Sequence, residues 1–115
     1  IQEMIANSDA ALRAARAGHV EAMTAVWDAA QTGEEVPLRL RAQVYGSSYY
    51  AIDVIRDTIS QLYARGTRAA FIQGHPVERA LRNLHAIGFG LEAGRMFQHS
   101  AGRVLMGGEP LVPTF

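Results

Sequence analysis

Apolar positions recur at steps of three and four along the first thirty residues, which is the spacing of one face of an α-helix. The positions of this face are Leu12, Ala15, His19, Met23, Val26 and Ala30. Ser8 and Asp9 are good N-cap residues, so the pattern predicts a helix over residues 8–30, which residues 2–5 can extend backwards. Gly18 lies inside this helix and costs about 1 kcal/mol relative to alanine.

A second long helix is predicted from Pro37 to Arg65, between a turn at Gln31 to Val36 and the stop signal Gly66. One near-heptad stripe carries Leu40, Val44, Ser47, Ala51, Val54, Thr58 and Leu62. A further apolar row carries Tyr45, Ile52, Ile55, Ile59 and Tyr63. The residues alone favour equally a central bundle helix and an oligomer or interdomain interface. The abrupt start at Ile1, on a predicted helix, suggests a fragment of a larger assembly and favours the interface.

Two shorter helices are predicted in the second half of the chain. The first follows the junction at Gly74, His75 and Pro76, has Val77, Leu81 and Leu84 on its core face, and bends or ends at Gly88 and Gly90. The last spans about Leu91 to Met106 and stops at Gly107 and Gly108. Its core positions are Gly94, Phe97, Ala101, Val104 and Leu105. Apolar residues of the tail, through Phe115, are expected to pack on this chain or on a partner.

The fold predicted from these elements is all-α, an up-down antiparallel four-helix bundle with two long helices, forming one domain over residues 1–115. Strand-like alternation and internal repeats are absent from the sequence. A chain of this length can bury a single core without disulfides, and it contains no cysteine.

Charge and hydropathy limit the classes of partner. Eleven basic residues balance eleven acidic ones, so the sequence predicts neither nucleic-acid binding nor attraction to anionic lipid. No apolar run approaches the roughly 20 residues of a membrane-spanning helix, and no signal peptide is evident. These features, with the lack of cysteine, predict a cytoplasmic protein without membrane contact.

The most informative local feature is the junction before the third helix. Helix N-termini attract anions through free N–H groups and the helix dipole, and Arg79 and Arg82 add positive charge on the same side. A phosphate-bearing ligand fits this arrangement, with His85 next to Arg82. The competing interpretation pairs both arginines with Glu78 and other surface carboxylates, and on the residues alone it is the better one.

Other chemistries lack a motif. The four histidines have no metal-binding spacing, and arginine occupies the carboxylate position of a Glu-x-x-His pattern in Arg82-Asn83-Leu84-His85, so no metal site is predicted. Serines are not set in a nucleophile elbow. Ser47 and Ser48 favour helix–helix packing over a pocket. No catalytic residue is identified.

From His75 onward the sequence resembles the type 2 C-terminal domain of the acyl-CoA dehydrogenase superfamily. The family pattern Pro-Leu-x-Arg-x-x-Arg-Asp-x-His-Ala, followed by Gly-Arg-x-Leu-x-Gly, is matched at Pro76, Arg79, Arg82, His85, Ala86, Gly102, Arg103, Leu105 and Gly107. The upstream helices match the family layout, so the resemblance covers nearly the whole chain.

The resemblance implies a flavin-dependent oxidoreductase, either a monooxygenase or an acyl-CoA dehydrogenase-like enzyme. It implies FAD or FMN bound between subunits of a homotetramer, with a small-molecule or acyl-CoA substrate bound through an N-terminal helical domain and a middle β domain that this chain lacks. Carried over to this sequence, the cofactor-binding residues are Arg68, Gln73, Gly74, His75, Arg79, Arg82 and His85. The domain alone is not expected to catalyse a reaction.

Several positions differ from the family pattern. Thr67 and Arg68 stand where the family usually has Gly-Gly, Gln73 replaces arginine, His75 replaces serine, and Asn83 replaces aspartate. Gly90 stands where many oxygenase members have histidine. The alternative function is a non-catalytic helical module that oligomerises through the face from Tyr45 to Tyr63 and binds no cofactor.

Overall fold

The computed structural model describes residues 1–66 and 71–115, and within these ranges the regular structure is four helices. They are α1 (Gln2–Gln31), α2 (Leu38–Arg65), α3 (Pro76–Ala93) and α4 (Arg95–Leu105). The prediction of an all-helical chain with two long helices is therefore confirmed. None of the described helices is long and apolar enough to cross a membrane.

The two long helices form an antiparallel pair. His19 in the middle of α1 lies beside Ser47 of α2, with 3.1 Å between Nδ1 and Oγ, and the start of α1 near Ser8 lies beside Thr58, late in α2. The predicted face of α1 is only partly correct. Ala15 is buried as predicted, but Leu12 and Met23 are exposed.

Small residues explain this difference on α1. Met4, Ala15 and Ala22 form the buried line of the helix, and two of these three side chains are methyl groups. Alanine lets the backbones of two helices approach closely, so the contact line follows the alanines and the larger apolar side chains are left at its edges. The helix begins at Gln2, in agreement with the predicted backward extension over residues 2–5, and continues through Gly18 without a break.

Helix α2 is the central element, because it contacts each of the other three helices. Ala42 of α2 and Ala101 of α4 are fully buried, and Phe115 of the tail is 4% exposed against them. The Tyr45 ring stacks on Phe97 at 5.1 Å between centroids and lies 5.0 Å from the Phe115 ring. The tail therefore completes the core of this chain.

In the second half of the chain, the observed ends of α3 and α4 differ from the predicted ends. Helix α3 continues through Gly88 and Gly90 to Ala93, and Gly94 is the N-cap of α4, with φ −86° and ψ 0°. A Cβ at Gly88 would lie 3.8 Å from Arg56, so packing against α2 supports the helix at this glycine. The predicted start of the last helix at Leu91 is therefore wrong, because α4 begins at Arg95.

The up-down topology is not confirmed. A single residue with helical dihedral angles joins α3 to α4, which leaves no room for a reversal of the chain. Arg95 contacts Asp53, and further along α4 Phe97 contacts Tyr45, so α4 runs antiparallel to α2. Gly88, near the end of α3, lies beside Arg56 of α2, so this part of α3 also packs against α2.

The row predicted as an interface is partly used inside the chain. Tyr45 is covered by α4 and the tail, and the Tyr63 ring meets Phe71 edge-on at 5.0 Å. The interface interpretation is therefore wrong for Tyr45, because residues distant in sequence cover this ring. Leu105 was predicted to lie in the core but is exposed on the outer side of α4.

Candidate functional site at the amino end of α3

The chain turns sharply into α3 at Gly74. This residue has φ +90°, a left-handed conformation that side chains disfavour, and Pro76 then occupies the first helical position, where its fixed φ suits the helix. The predicted junction is thus confirmed. His75 sits in the N-cap position between them, and its backbone N–H donates to the carbonyl of Ile72 at 3.0 Å.

Side chains of the chain itself cap this end of the helix. Nδ1 of His75 accepts the backbone N–H of Val77 at 3.3 Å. Oε2 of Glu78 accepts the backbone N–H of Gly74 at 3.1 Å. The two bonds satisfy one free N–H before the helix and one in its first turn, as capping side chains do, although the partners differ from those of a capping box.

The basic residues of α3 share one face. Arg79, Arg82 and His85 follow each other at three-residue steps, and all three are exposed. Nε of Arg82 lies 3.7 Å from Oε1 of Glu78, so the predicted surface pairing holds for Arg82. Arg79 is exposed, and no ion pair with another described residue is found for it.

The remaining predicted cofactor-binding residues are placed as follows. Gln73 is exposed in the turn before Gly74 and close in sequence to the capped helix end. Arg68 lies outside the described residues. Glu78 thus contacts Gly74 and Arg82, while Arg79 and His85 are exposed on the same face of α3 as Arg82.

A second polar cluster, which the sequence analysis did not identify, joins α2 to the start of α4. Arg95 donates two hydrogen bonds to the carboxylate of Asp53, at 2.8 and 3.2 Å, and one to Oε1 of Gln98 at 2.7 Å. Its guanidinium lies 5.6 Å from the centroid of the Tyr49 ring. The cluster fixes the bend at Gly94 against the central helix.

The cluster lowers the pKa of Asp53 below its usual value. The main cause is the hydrogen bond from Arg95, to which the charges of Arg95 and Arg56 add, while partial burial acts in the opposite direction. Arginine contacts both carboxylate oxygens of Asp53, so this cluster has a structural role: it holds the start of α4 against α2.

His19 and two serines form a third polar group between α1 and α2. The hydroxyls of Ser47 and Ser48 both donate to the carbonyl of Val44, at 3.0 and 2.7 Å, and lie 3.1 and 3.5 Å from Nδ1 of His19. His19 thus forms a hydrogen bond between α1 and α2. The predicted helix–helix packing role of both serines is confirmed.

The outer side of α1 carries an apolar groove of about 410 Å³, lined by His19, Val20, Met23, Thr24, Val26, Trp27 and Ala30. Trp27 is 67% exposed and Met23 is 48% exposed. No group of three histidine, cysteine, aspartate or glutamate side chains among the described residues could hold a metal ion.

Comparison with known proteins gives one family. The family described as acyl-CoA dehydrogenase, C-terminal domain, matches residues 1–89, which include α1, α2 and the capped start of α3. No curated protein and no solved structure matches this chain.

Proposed function

The chain belongs to the family of acyl-CoA dehydrogenase C-terminal domains, and from this premise we propose that it is the C-terminal helical domain of a flavin-dependent oxidoreductase. The family match over residues 1–89 is the observation that carries the proposal. In the proposed oxidoreductase, the domain forms subunit contacts and one part of the flavin site. Further domains bind the substrate of an acyl-CoA dehydrogenase-like or a monooxygenase reaction.

The open face of α3 fits the phosphate of FAD or FMN. Arginine presents a planar fork of N–H donors that matches phosphate oxygens, and Arg79 and Arg82 lie three residues apart on an exposed face. His85 continues this face by one further step. The bound flavin supplies the redox chemistry, while these side chains hold and orient its phosphate.

The exposed side of α1 supports the proposed subunit contacts. Val20, Met23 and Trp27 lie at three- and four-residue steps, and each is about half exposed or more. Aromatic and methionine side chains are enriched in the buried cores of protein interfaces. We assign this side of α1 to contacts with another copy in a homotetramer.

The same surface supports a second candidate function, a non-catalytic helical module that oligomerises and binds no cofactor. Exposed apolar groups on α1 favour association in either case. The two functions differ in flavin binding, because only the first needs a cationic face for a phosphate. Flavin affinity is therefore the property that separates them.

Removal of the charges at Arg79 and Arg82 tests the proposed flavin contact. The protein that contains this domain, with the double substitution R79Q/R82Q, should bind FAD or FMN on the order of a hundredfold more weakly, because the two charge-assisted hydrogen bonds contribute on the order of 1.5 kcal/mol each. Quenching of flavin fluorescence gives the affinity. Helical content by circular dichroism should stay unchanged, since both side chains are exposed.

A matched control is the double substitution R13Q/R16Q on α1. These two arginines are also three residues apart and exposed, so the control removes the same charge at the same spacing. It should leave flavin affinity unchanged. Equal affinity of the wild type and R79Q/R82Q would instead leave both arginines as ordinary surface residues.

A further inference from the structure

A small polar cleft lies between the start of α1 and the later part of α2, away from the basic face of α3 and from the exposed apolar side of α1. Its volume is about 220 Å³. Polar side chains from both helices line it, namely Asn7 and Ser8 of α1 and Asp57, Thr58 and Gln61 of α2. The cleft therefore offers hydroxyl, amide and carboxylate groups to one small ligand.

Thr58 is the buried residue of this cleft. It is only 6% exposed, and its hydroxyl forms no hydrogen bond with any described residue. The hydroxyls of Ser47 and Ser48, earlier on the same helix, both donate to the carbonyl of Val44. Because buried polar groups nearly always have a hydrogen-bond partner, the Thr58 hydroxyl indicates a partner that enters the cleft from outside the chain.

Asp57 determines the charge of that partner. Among the described residues that line the cleft it is the charged one, and it forms no ion pair with another described residue. Asp53, one turn earlier, is by contrast held by Arg95. An unpaired carboxylate favours a cation. An organic ammonium group suits the site better than a metal ion, because no three metal-binding side chains come together among the described residues.

We propose that this cleft binds a small organic ammonium compound that also carries a hydroxyl group, which is the chemistry of an amino alcohol. An ammonium group has three N–H donors, which fit the carboxylate of Asp57 and the amide oxygen of Gln61. The ligand hydroxyl pairs with Thr58, and Ala11 and Val54 contact the carbon atoms. The site lies within one chain and requires neither a flavin nor a second copy.

Ethanolamine is the probe, and two matched compounds each lack one of its groups. Titration of the full chain, followed by amide chemical shifts in NMR spectra, should show saturable shifts around Thr58 with ethanolamine. Ethylamine, which has no hydroxyl, should bind on the order of fivefold more weakly. Ethylene glycol, which has no charge, should bind at least on the order of tenfold more weakly.

Two substitutions remove the corresponding groups of the protein. Asp57→Asn should weaken ethanolamine binding on the order of tenfold, and Thr58→Val should weaken it on the order of fivefold. Valine keeps the shape of threonine, and the hydroxyl has no partner within the described chain, so T58V should not lower the thermal unfolding midpoint. Asp28→Asn, at an exposed position elsewhere on α1, is the charge control and should leave binding unchanged.

The proposal is overturned if ethanolamine causes no saturable shifts in the wild type, or if D57N and T58V bind it as tightly as the wild type does. Equal binding of ethylene glycol and ethanolamine would also contradict it. If ethanolamine does not bind and D57N dissociates an oligomer in size-exclusion chromatography, the cleft holds a basic side chain of another copy instead. Flavin affinity is measured separately and decides none of these outcomes.

Discussion

Asp53 and Arg95 show how a pair of residues 42 positions apart can fix the path of the chain. Periodicity identifies the faces of helices, but it contains no information about which polar residues on two faces will meet. The spacing of Arg79, Arg82 and His85 could be read from the sequence because it is local to one helix. The Asp53–Arg95 pair could not, and neither could the contact of Glu78 with Gly74, which depends on the turn conformation.

The substitution Asp53→Asn should lower the free energy of unfolding by about 1 kcal/mol at neutral pH, because it removes the charge that Arg95 pairs with in a partly exposed site. Chemical denaturation measures the difference. Asp57→Asn on the same helix is the control, since Asp57 is exposed, and it should change the stability little.

The difference in free energy of unfolding between the wild type and D53N should become smaller as the pH falls. The folded-state pKa of Asp53 is lowered, so its contribution to stability is present above the usual aspartate pKa of about 3.9 and is lost as the pH falls through the lower folded value. Wild type and D53N should therefore converge in stability as the pH falls below the lowered folded-state pKa of Asp53. A difference that persists unchanged at such acid pH would show that the charge is not its cause.

At the scale of helices, the sequence predicted which helices form better than it predicted where they begin and end. The end of α2 at Arg65 and the start of α3 beside Pro76 were correct, because glycine and proline act locally there. Gly88 and Gly90 were expected to bend or end α3, but α3 continues to Ala93 and the break comes at Gly94. The cost of a helical glycine is only about 1 kcal/mol, which packing on α2 can offset.

Two glycines of the helices should respond to alanine with opposite signs. Gly18 lies within α1 with open space around it, so Gly18→Ala should raise the free energy of unfolding by about 0.5–1 kcal/mol. Gly107 ends α4 with φ +88°, so Gly107→Ala should lower it by about 1–2 kcal/mol. Thermal unfolding followed by circular dichroism would show one midpoint rising and the other falling; shifts of the same sign would contradict this account of the helix ends.

At the scale of the whole molecule, apolar surface is divided between a core inside the chain and an exposed side of α1. The sequence analysis expected an interface on α2, from Tyr45 to Tyr63, yet α4 and the tail cover Tyr45, while Trp27 and Met23 remain exposed. Contacts between residues distant in sequence determine which of two apolar faces is covered. Periodicity identifies both faces as apolar but does not indicate which one will be buried. Packing alone does not indicate a function, so the proposed function rests on the family membership.

Flavin binding by the protein that contains this domain tests the central claim most directly. The protein should be titrated with FAD and with FMN while flavin fluorescence is recorded, with the R79Q/R82Q variant measured beside it. We expect one of the two flavins to be quenched in a saturable manner by the wild type. Fluorescence of both flavins that stays unchanged at saturating protein would contradict the assignment of this chain to a flavin-dependent oxidoreductase.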